Sequence, residues 1–147
     1  MTQYKKNLVE GLALPTNVTL PGTNKLMDRN DDSPLLNDEA RTFFHQYVAK
    51  VLYLATHMHG ELRFYVNILA QRTANPTTQD LQHLTSLLGY IKDNVHETLT
   101  LDASHYSHPV VYIDASYAVN RDYKSQAGAC MFFGTSGKFF VQIVTGF

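Results

Sequence analysis

Asp114 is the residue whose setting most invites chemistry. It lies in Val110-Val111-Tyr112-Ile113-Asp114-Ala115-Ser116-Tyr117-Ala118-Val119, where nearly every other member is apolar, aromatic or β-branched. A carboxylate buried in such a strand is costly unless it is paired or binds a metal. Strand alternation puts it on one face with Tyr112 and Ser116, opposite Ile113 and Ala115. Two readings are open: a metal-ligating carboxylate presented from a rigid strand, or an edge-strand charge that discourages aggregation. The residues alone favour the second. Among the seven histidines, His57-Met58-His59 and His105-Tyr106-Ser107-His108 are the closest pairs. The first pair falls at a helix junction and no third ligand of matching spacing is identifiable, so solvated loop histidines are expected. Cys130 has no local partner that would activate a thiol and reads as a small core residue. Gly128, Gly134 and Gly137 match no phosphate-cradling loop and read as turn and close-packing glycines. Lys50, inside an apolar helix, and Lys124, before Ser125, could each touch a nucleic-acid backbone. Taken singly, each reads as a snorkelling or solvated lysine.

The elements that must position these residues follow from periodicity. Tyr4, Leu8, Val9 and Leu12 predict a short amphipathic helix over 4–12. Pro15, Pro21, Gly22 and the run Asp28-Arg29-Asn30-Asp31-Asp32-Ser33-Pro34 make 13–36 a connecting segment laid across a surface. Asn37 is a good N-cap, with Asp38 and Glu39 in the first turn, and Phe44, Val48, Val51, Leu52 and Ala55 form the stripe of a long helix. The pattern breaks around His57-Met58-His59-Gly60. Leu62, Val66 and Leu69 start a second stripe that ends near Ala74-Asn75-Pro76, giving two antiparallel helices. Thr77 offers an N-cap with Asp80 three residues on, and Leu81, Leu84, Leu87, Leu88 and Ile91 carry a third stripe to about Asn94. Beyond 95 the period changes to two. Thr98, Thr100 and Asp102 alternate against Leu99 and Leu101 in a short strand, and 110–119, 125–133 and 138–144 read as a β-meander with turns at Asn120-Arg121-Asp122 and Gly134-Thr135-Ser136-Gly137. The fold class is therefore α+β, with a three-helix segment ahead of an antiparallel sheet.

Composition bounds the function. Twelve Lys and Arg against thirteen Asp and Glu, spread evenly along 147 residues, give a net charge of -1. A strongly basic nucleic-acid or membrane-surface module is thereby excluded. One cysteine cannot close an internal disulfide, which fits a reducing compartment. The N-terminus opens no signal-peptide-like apolar stretch, and no run approaches the roughly 20 apolar residues that span a bilayer. An intracellular protein, cytoplasmic or nuclear, without a membrane partner is expected.

Four stretches together resemble a known family. Phe44-His45-Gln46-Tyr47-Val48-Ala49-Lys50-Val51-Leu52-Tyr53-Leu54-Ala55 resembles the helix that follows the polymerase palm in reverse transcriptases of copia-type retrotransposons. Leu87-Leu88-Gly89-Tyr90-Ile91-Lys92, Tyr112-Ile113-Asp114-Ala115-Ser116-Tyr117-Ala118 and Lys124-Ser125-Gln126-Ala127-Gly128 are similar to that family's next helix, strand and hairpin, in the same order. Gln3-Tyr4-Lys5-Lys6-Asn7-Leu8 and Asp32-Ser33-Pro34-Leu35-Leu36 also resemble family segments, so the likeness covers residues 3–135.

The resemblance implies a polyprotein fragment in three parts. Residues 1–36 would be an N-terminal helix and irregular connecting segment, 37–109 the helical thumb and connection region that grips template-primer, and 110–147 a truncated ribonuclease H-like set of strands. It implies that Asp114 is the first metal-binding carboxylate of a ribonuclease H site, that Mg2+ is the cofactor, and that an RNA–DNA hybrid is the partner in the parent polyprotein. Lys50 and Lys124 would be the candidate nucleic-acid contacts.

Departures from the family shape the expected activity. The paired Asp-Asp of the polymerase site has no room before Met1, and the downstream segment with the second ribonuclease H carboxylate is absent. His57-Met58-His59-Gly60-Glu61-Leu62 stands where the family carries two arginines, which weakens a nucleic-acid contact there. The expected function is a catalytically inactive fragment with Mg2+ not stably held. The competing expectations are an accessory nucleic-acid or protein-binding module derived from the element, and an incomplete gene model of an active RNA-directed DNA polymerase. An incomplete sheet and the uncharged run Phe139-Phe140-Val141-Gln142-Ile143-Val144 favour self-association through exposed strands.

Overall fold

Two of the helices start at side chains that occupy otherwise orphaned amides. Asn37 Oδ1 accepts from the Ala40 amide at 2.9 Å and opens α2 (Asp38–His57). Thr77 and Asp80 form a reciprocal capping box that opens α4 (Thr78–Asp93). Helix α1 (Thr2–Val9) precedes them, and α3 (Gly60–Gln71) follows α2 after only Met58 and His59. Both caps expected from the sequence are formed.

The computed structural model describes residues 1–28, 32–97, 109–117, 126–133 and 141–146. It divides into two units, Met1–Thr98 and Leu99–Phe147.

In the helical unit α2 packs on α3, α1 packs on α4, and α4 touches both α2 and α3. Phe44, Val48, Val51 and Ala55 of the expected α2 stripe are buried; Leu54 joins them, whereas Leu52 is half-buried. Leu62, Val66 and Leu69 of α3 meet Leu84, Leu87, Leu88 and Ile91 of α4 in one apolar cluster. Truncating one such side chain costs about 2–5 kcal/mol through lost burial and the cavity left behind.

The segment read as lying across a surface does more than that. Its short 3-10 turn at Asn24–Leu26 sends Leu26 into the core at 2% exposure. Upstream, the chain crosses α4 at Gly89, where a Cβ would stand 2.8 Å from Pro15 Cγ and 3.0 Å from Val18 Cγ2. Only glycine leaves room for that approach. The Val18 amide then donates to Asp93 Oδ2 at 2.7 Å, and downstream Leu35 bridges to Thr77.

The junction of this segment with the helices centres on Asp80, whose side chain is fully buried. Its Oδ1 accepts from Arg72 Nη1 at 2.9 Å, and its Oδ2 accepts from the Thr77 amide at 2.9 Å and the Thr77 hydroxyl at 3.0 Å. Arg72 Nη2 donates to the Leu26 carbonyl at 2.7 Å.

The second unit contains an antiparallel sheet in the order β1-β2-β3, with β1 at Pro109–Ser116, β2 at Gln126–Phe133 and β3 at Val141–Gly146. Asp114 pairs with Gly128, and Tyr112 with Cys130. The chain is thus mixed α and β. The strand expected at 98–102, the turns at 120–122 and 134–137, and residues 138–140 lie outside the described residues. Among the described residues no helix is long and apolar enough to cross a membrane.

Because Asp80 anchors a cap, a buried ion pair and a crossing segment together, Asp80→Ala is expected to destabilise the helical unit by about 3–5 kcal/mol, as removal of one partner from a buried ion pair does. Urea unfolding followed by far-UV circular dichroism measures this. A loss under about 1 kcal/mol, the worth of an exposed pair, would contradict it.

Candidate functional site

Asp114 stands in β1, an edge of the sheet among the described residues, and its side chain is exposed. The desolvation cost that burial would impose is therefore not incurred. Tyr112, on the same face by alternation, is 64% exposed, and Ile113 on the other face is 77% exposed. Among the described residues no group of three His, Cys, Asp or Glu side chains is placed to hold a metal. A pair of divalent cations needs several oxygen ligands to replace its water, and Asp102 and Asp122, the carboxylates nearest Asp114 in sequence, lie outside the described residues.

Lys50 projects from α2 into solvent, with its Nζ 4.4 Å from the centre of the Tyr47 ring. Tyr47 stacks on Phe43 at 4.3 Å between centroids, so an aromatic pair and a cation line one side of α2. Further along, Tyr53 packs against His57 at 4.2 Å and against Tyr4 at 5.4 Å, and the Tyr4 hydroxyl donates to the Lys50 carbonyl at 3.1 Å. Burial, and next the neighbouring Tyr53, raise the Tyr4 phenol above its usual range. Lys124, His105 and His108 lie outside the described residues; Cys130 pairs with Gln142 as well as Tyr112 in the sheet.

The reading of His57 and His59 as solvated loop histidines is half right. His57 is exposed, and its Nδ1–H donates to the Tyr53 carbonyl at 2.8 Å within α2. His59 is buried at 7% exposure, because the two-residue link between α2 and α3 folds it inward. Its Nδ1 lies 2.6 Å from Glu61 Oε1 and its Nε2 lies 3.1 Å from Lys5 Nζ.

Lys5 itself, on α1, is 1% exposed, and its Nζ also donates to the carbonyls of Asn94 at 3.0 Å and Glu97 at 2.6 Å. Burial pulls the Lys5 ammonium below the ordinary lysine range, against the opposing charges of Glu97 and Glu61. Burial would raise the Glu61 carboxyl, but the hydrogen bond to His59 leads the effects that hold it below its usual range. A sequence signal for Lys5 exists. Lys5, Leu8, Val9 and Leu12 have the 0, 3, 4, 7 spacing of a buried face, so the lysine occupies an apolar position of the helix.

A half-open cavity of about 310 Å³ lies between the crossing segment and the helices, lined by Asn17, Leu20, Gly22, Tyr65, His83 and Leu87 among others. The His83 Nε2 is buried without a hydrogen-bond partner among the described residues. Burial, followed by the nearby Arg72 charge, holds the His83 imidazole below its usual range, over a smaller opposite pull from Asp80.

The sign of this effect on folding is fixed by linkage. Unfolded His83 takes up a proton at the ordinary imidazole pH while folded His83 does not, so its stabilising contribution is present above that range and lost as pH falls through it. Urea midpoints from about pH 7.5 to pH 5 are expected to decline less steeply in His83→Leu than in the unaltered chain. Equal slopes would show that His83 titrates alike in both states. No protein-family model, curated protein or solved structure matches this chain.

Proposed function

We propose that the chain is a fragment of a copia-type retrotransposon polyprotein. In this reading, the thumb and connection helices of a reverse transcriptase precede the opening strands of a ribonuclease H-like domain, and the 147 residues alone are catalytically inactive. The observation that carries the reading is the order of the family-like motifs along the chain. Their secondary structure is compatible with it: Phe44–Ala55 falls within α2, Leu87–Lys92 within α4, and Tyr112–Ser116 within β1. The described strands are in keeping with inactivity: ribonuclease H chemistry uses two adjacent cations held by several carboxylates, whereas Asp114 is the one carboxylate of the described strands, and it is exposed.

A second reading, an accessory nucleic-acid-binding module, draws on the α2 surface. The stacked Phe43 and Tyr47 rings and the Lys50 ammonium offer a base-stacking platform beside a phosphate-seeking charge. The net charge of -1 works against it, since phosphate neutralisation supplies most non-specific affinity.

Incubation of the purified chain with a labelled RNA–DNA hybrid and Mg2+ is expected to give no cleavage. Cleavage that disappears in Asp114→Asn would overturn the inactive-fragment reading. Fluorescence anisotropy on the same hybrid separates the two readings. Measurable binding at low salt that weakens in both Tyr47→Ala and Lys50→Ala favours the accessory module, with the latter lowering the log–log salt slope by about one. No binding at low salt removes that alternative.

The exposed β1 residues Val111, Tyr112 and Ile113 also predict self-association of the isolated chain. Sedimentation velocity is expected to show oligomers that diminish in Ile113→Lys. A monomer at high concentration would count against an incomplete sheet.

A further inference from the structure

The Lys5 ammonium has three N–H donors, and the structure gives it three acceptors: His59 Nε2 at 3.1 Å, the Asn94 carbonyl at 3.0 Å and the Glu97 carbonyl at 2.6 Å. A charged Lys5 therefore requires an unprotonated His59 Nε2, which places the imidazole proton on Nδ1, where it donates to Glu61 Oε1 at 2.6 Å. The same geometry accommodates one alternative. A neutral Lys5 amine donates to the two carbonyls and accepts from Nε2–H of an imidazolium whose Nδ1–H still meets Glu61. Both arrangements hold the same number of protons, so Lys5 and His59 share one. A second proton has no place, since it sets two donors and two positive charges 3.1 Å apart with both side chains out of water.

We infer that the Lys5–His59–Glu61 network is an acid-released latch that fastens α1 to the α2–α3 junction and to the end of α4. The charged and titratable groups around it come from every side. Glu61 lies on α3 and Glu97 beyond α4; both carboxylates act on Lys5, and both also act on the Tyr90 hydroxyl of α4. Among the described residues Glu61 is the only carboxylate bonded to the network, through His59 Nδ1, and its side chain is 43% exposed; neither it nor the Glu97 carboxylate is bonded to Nε2, so a second proton still sets two donors face to face there. When α1 lifts away, Lys5 and His59 each regain solvent and each can carry its own proton. Opening is thus coupled to uptake of one proton, and it unseats Leu8 from the core.

Amide hydrogen exchange of the full chain, read by mass spectrometry on peptides covering residues 2–9 and corrected for the intrinsic pH dependence of exchange, tests the latch. Below the ordinary imidazole range the opening constant of α1 is expected to rise about tenfold per pH unit, the slope of one proton taken up. His59→Gln keeps an acceptor for Lys5 and a donor for Glu61 but cannot gain a proton, so α1 protection there is expected to be independent of pH over the same range. Protection of α1 in the unaltered chain that does not change with pH, or an equal acid loss in His59→Gln, overturns the latch. Imidazole 15N shifts of His59 read together with the 15Nζ shift of Lys5 in the unaltered chain test the same coupling without a variant. An imidazolium and an ammonium present at once are expected only in step with α1 opening, and both seen with α1 still docked would refute the proposal.

Discussion

The helical unit hangs on the carboxylate of Asp80. Deprived of water, this group accepts an Arg72 guanidinium on one oxygen and the Thr77 amide and hydroxyl on the other. One charge therefore terminates α3 through its C-cap arginine, starts α4 through its capping box, and holds the crossing segment through the Leu26 carbonyl on the far arm of Arg72. An isolated buried charge would be prohibitive. Three hydrogen bonds, one of them from the Arg72 counter-charge, make it a fixed point about which apolar faces align.

What the sequence made legible was the part of the fold written in local patterns. Asn37 and the Thr77–Asp80 pair mark helix starts because a cap needs only residues within three positions. The stripes of α2, α3 and α4 follow from periodicity, although in α2 Leu54 is fully buried and Leu52 only half-buried, because the covered face is turned toward the Leu54 side of the expected stripe. What stayed hidden was set by distant partners. Nothing local distinguishes Arg72, whose contacts lie at Leu26 and Asp80, or His59, whose environment is built by Lys5 from 54 positions away. Lys5 is obscured for a different reason: lysine is rarely fully buried, whereas its spacing belongs to the core.

Asp114 admits two readings of unequal consequence. Its apolar neighbours suggest a buried carboxylate, yet β1 is a sheet edge, and at an edge apolar side chains such as Ile113 stand in water beside it. The two units thus differ in kind. The helical one closes its own core, whereas the sheet leaves apolar side chains of β1 uncovered.

The close approach of Pro15 and Val18 to Gly89 has a consequence for how the chain comes to be folded during synthesis. Pro15 and Val18 find their seats on a helix made of residues Thr78–Asp93, and Lys5 closes on Asn94 and Glu97 across sequence separations of 89 and 92. Loop-closure entropy must be met before any of these contacts contributes. While a ribosome is still adding α2 and α3, the N-terminal helix and the segment behind it lack the α4 side of their docking surface. Their apolar residues, Leu8 and Leu26 among them, stay open to chaperones until the last helix of the unit emerges.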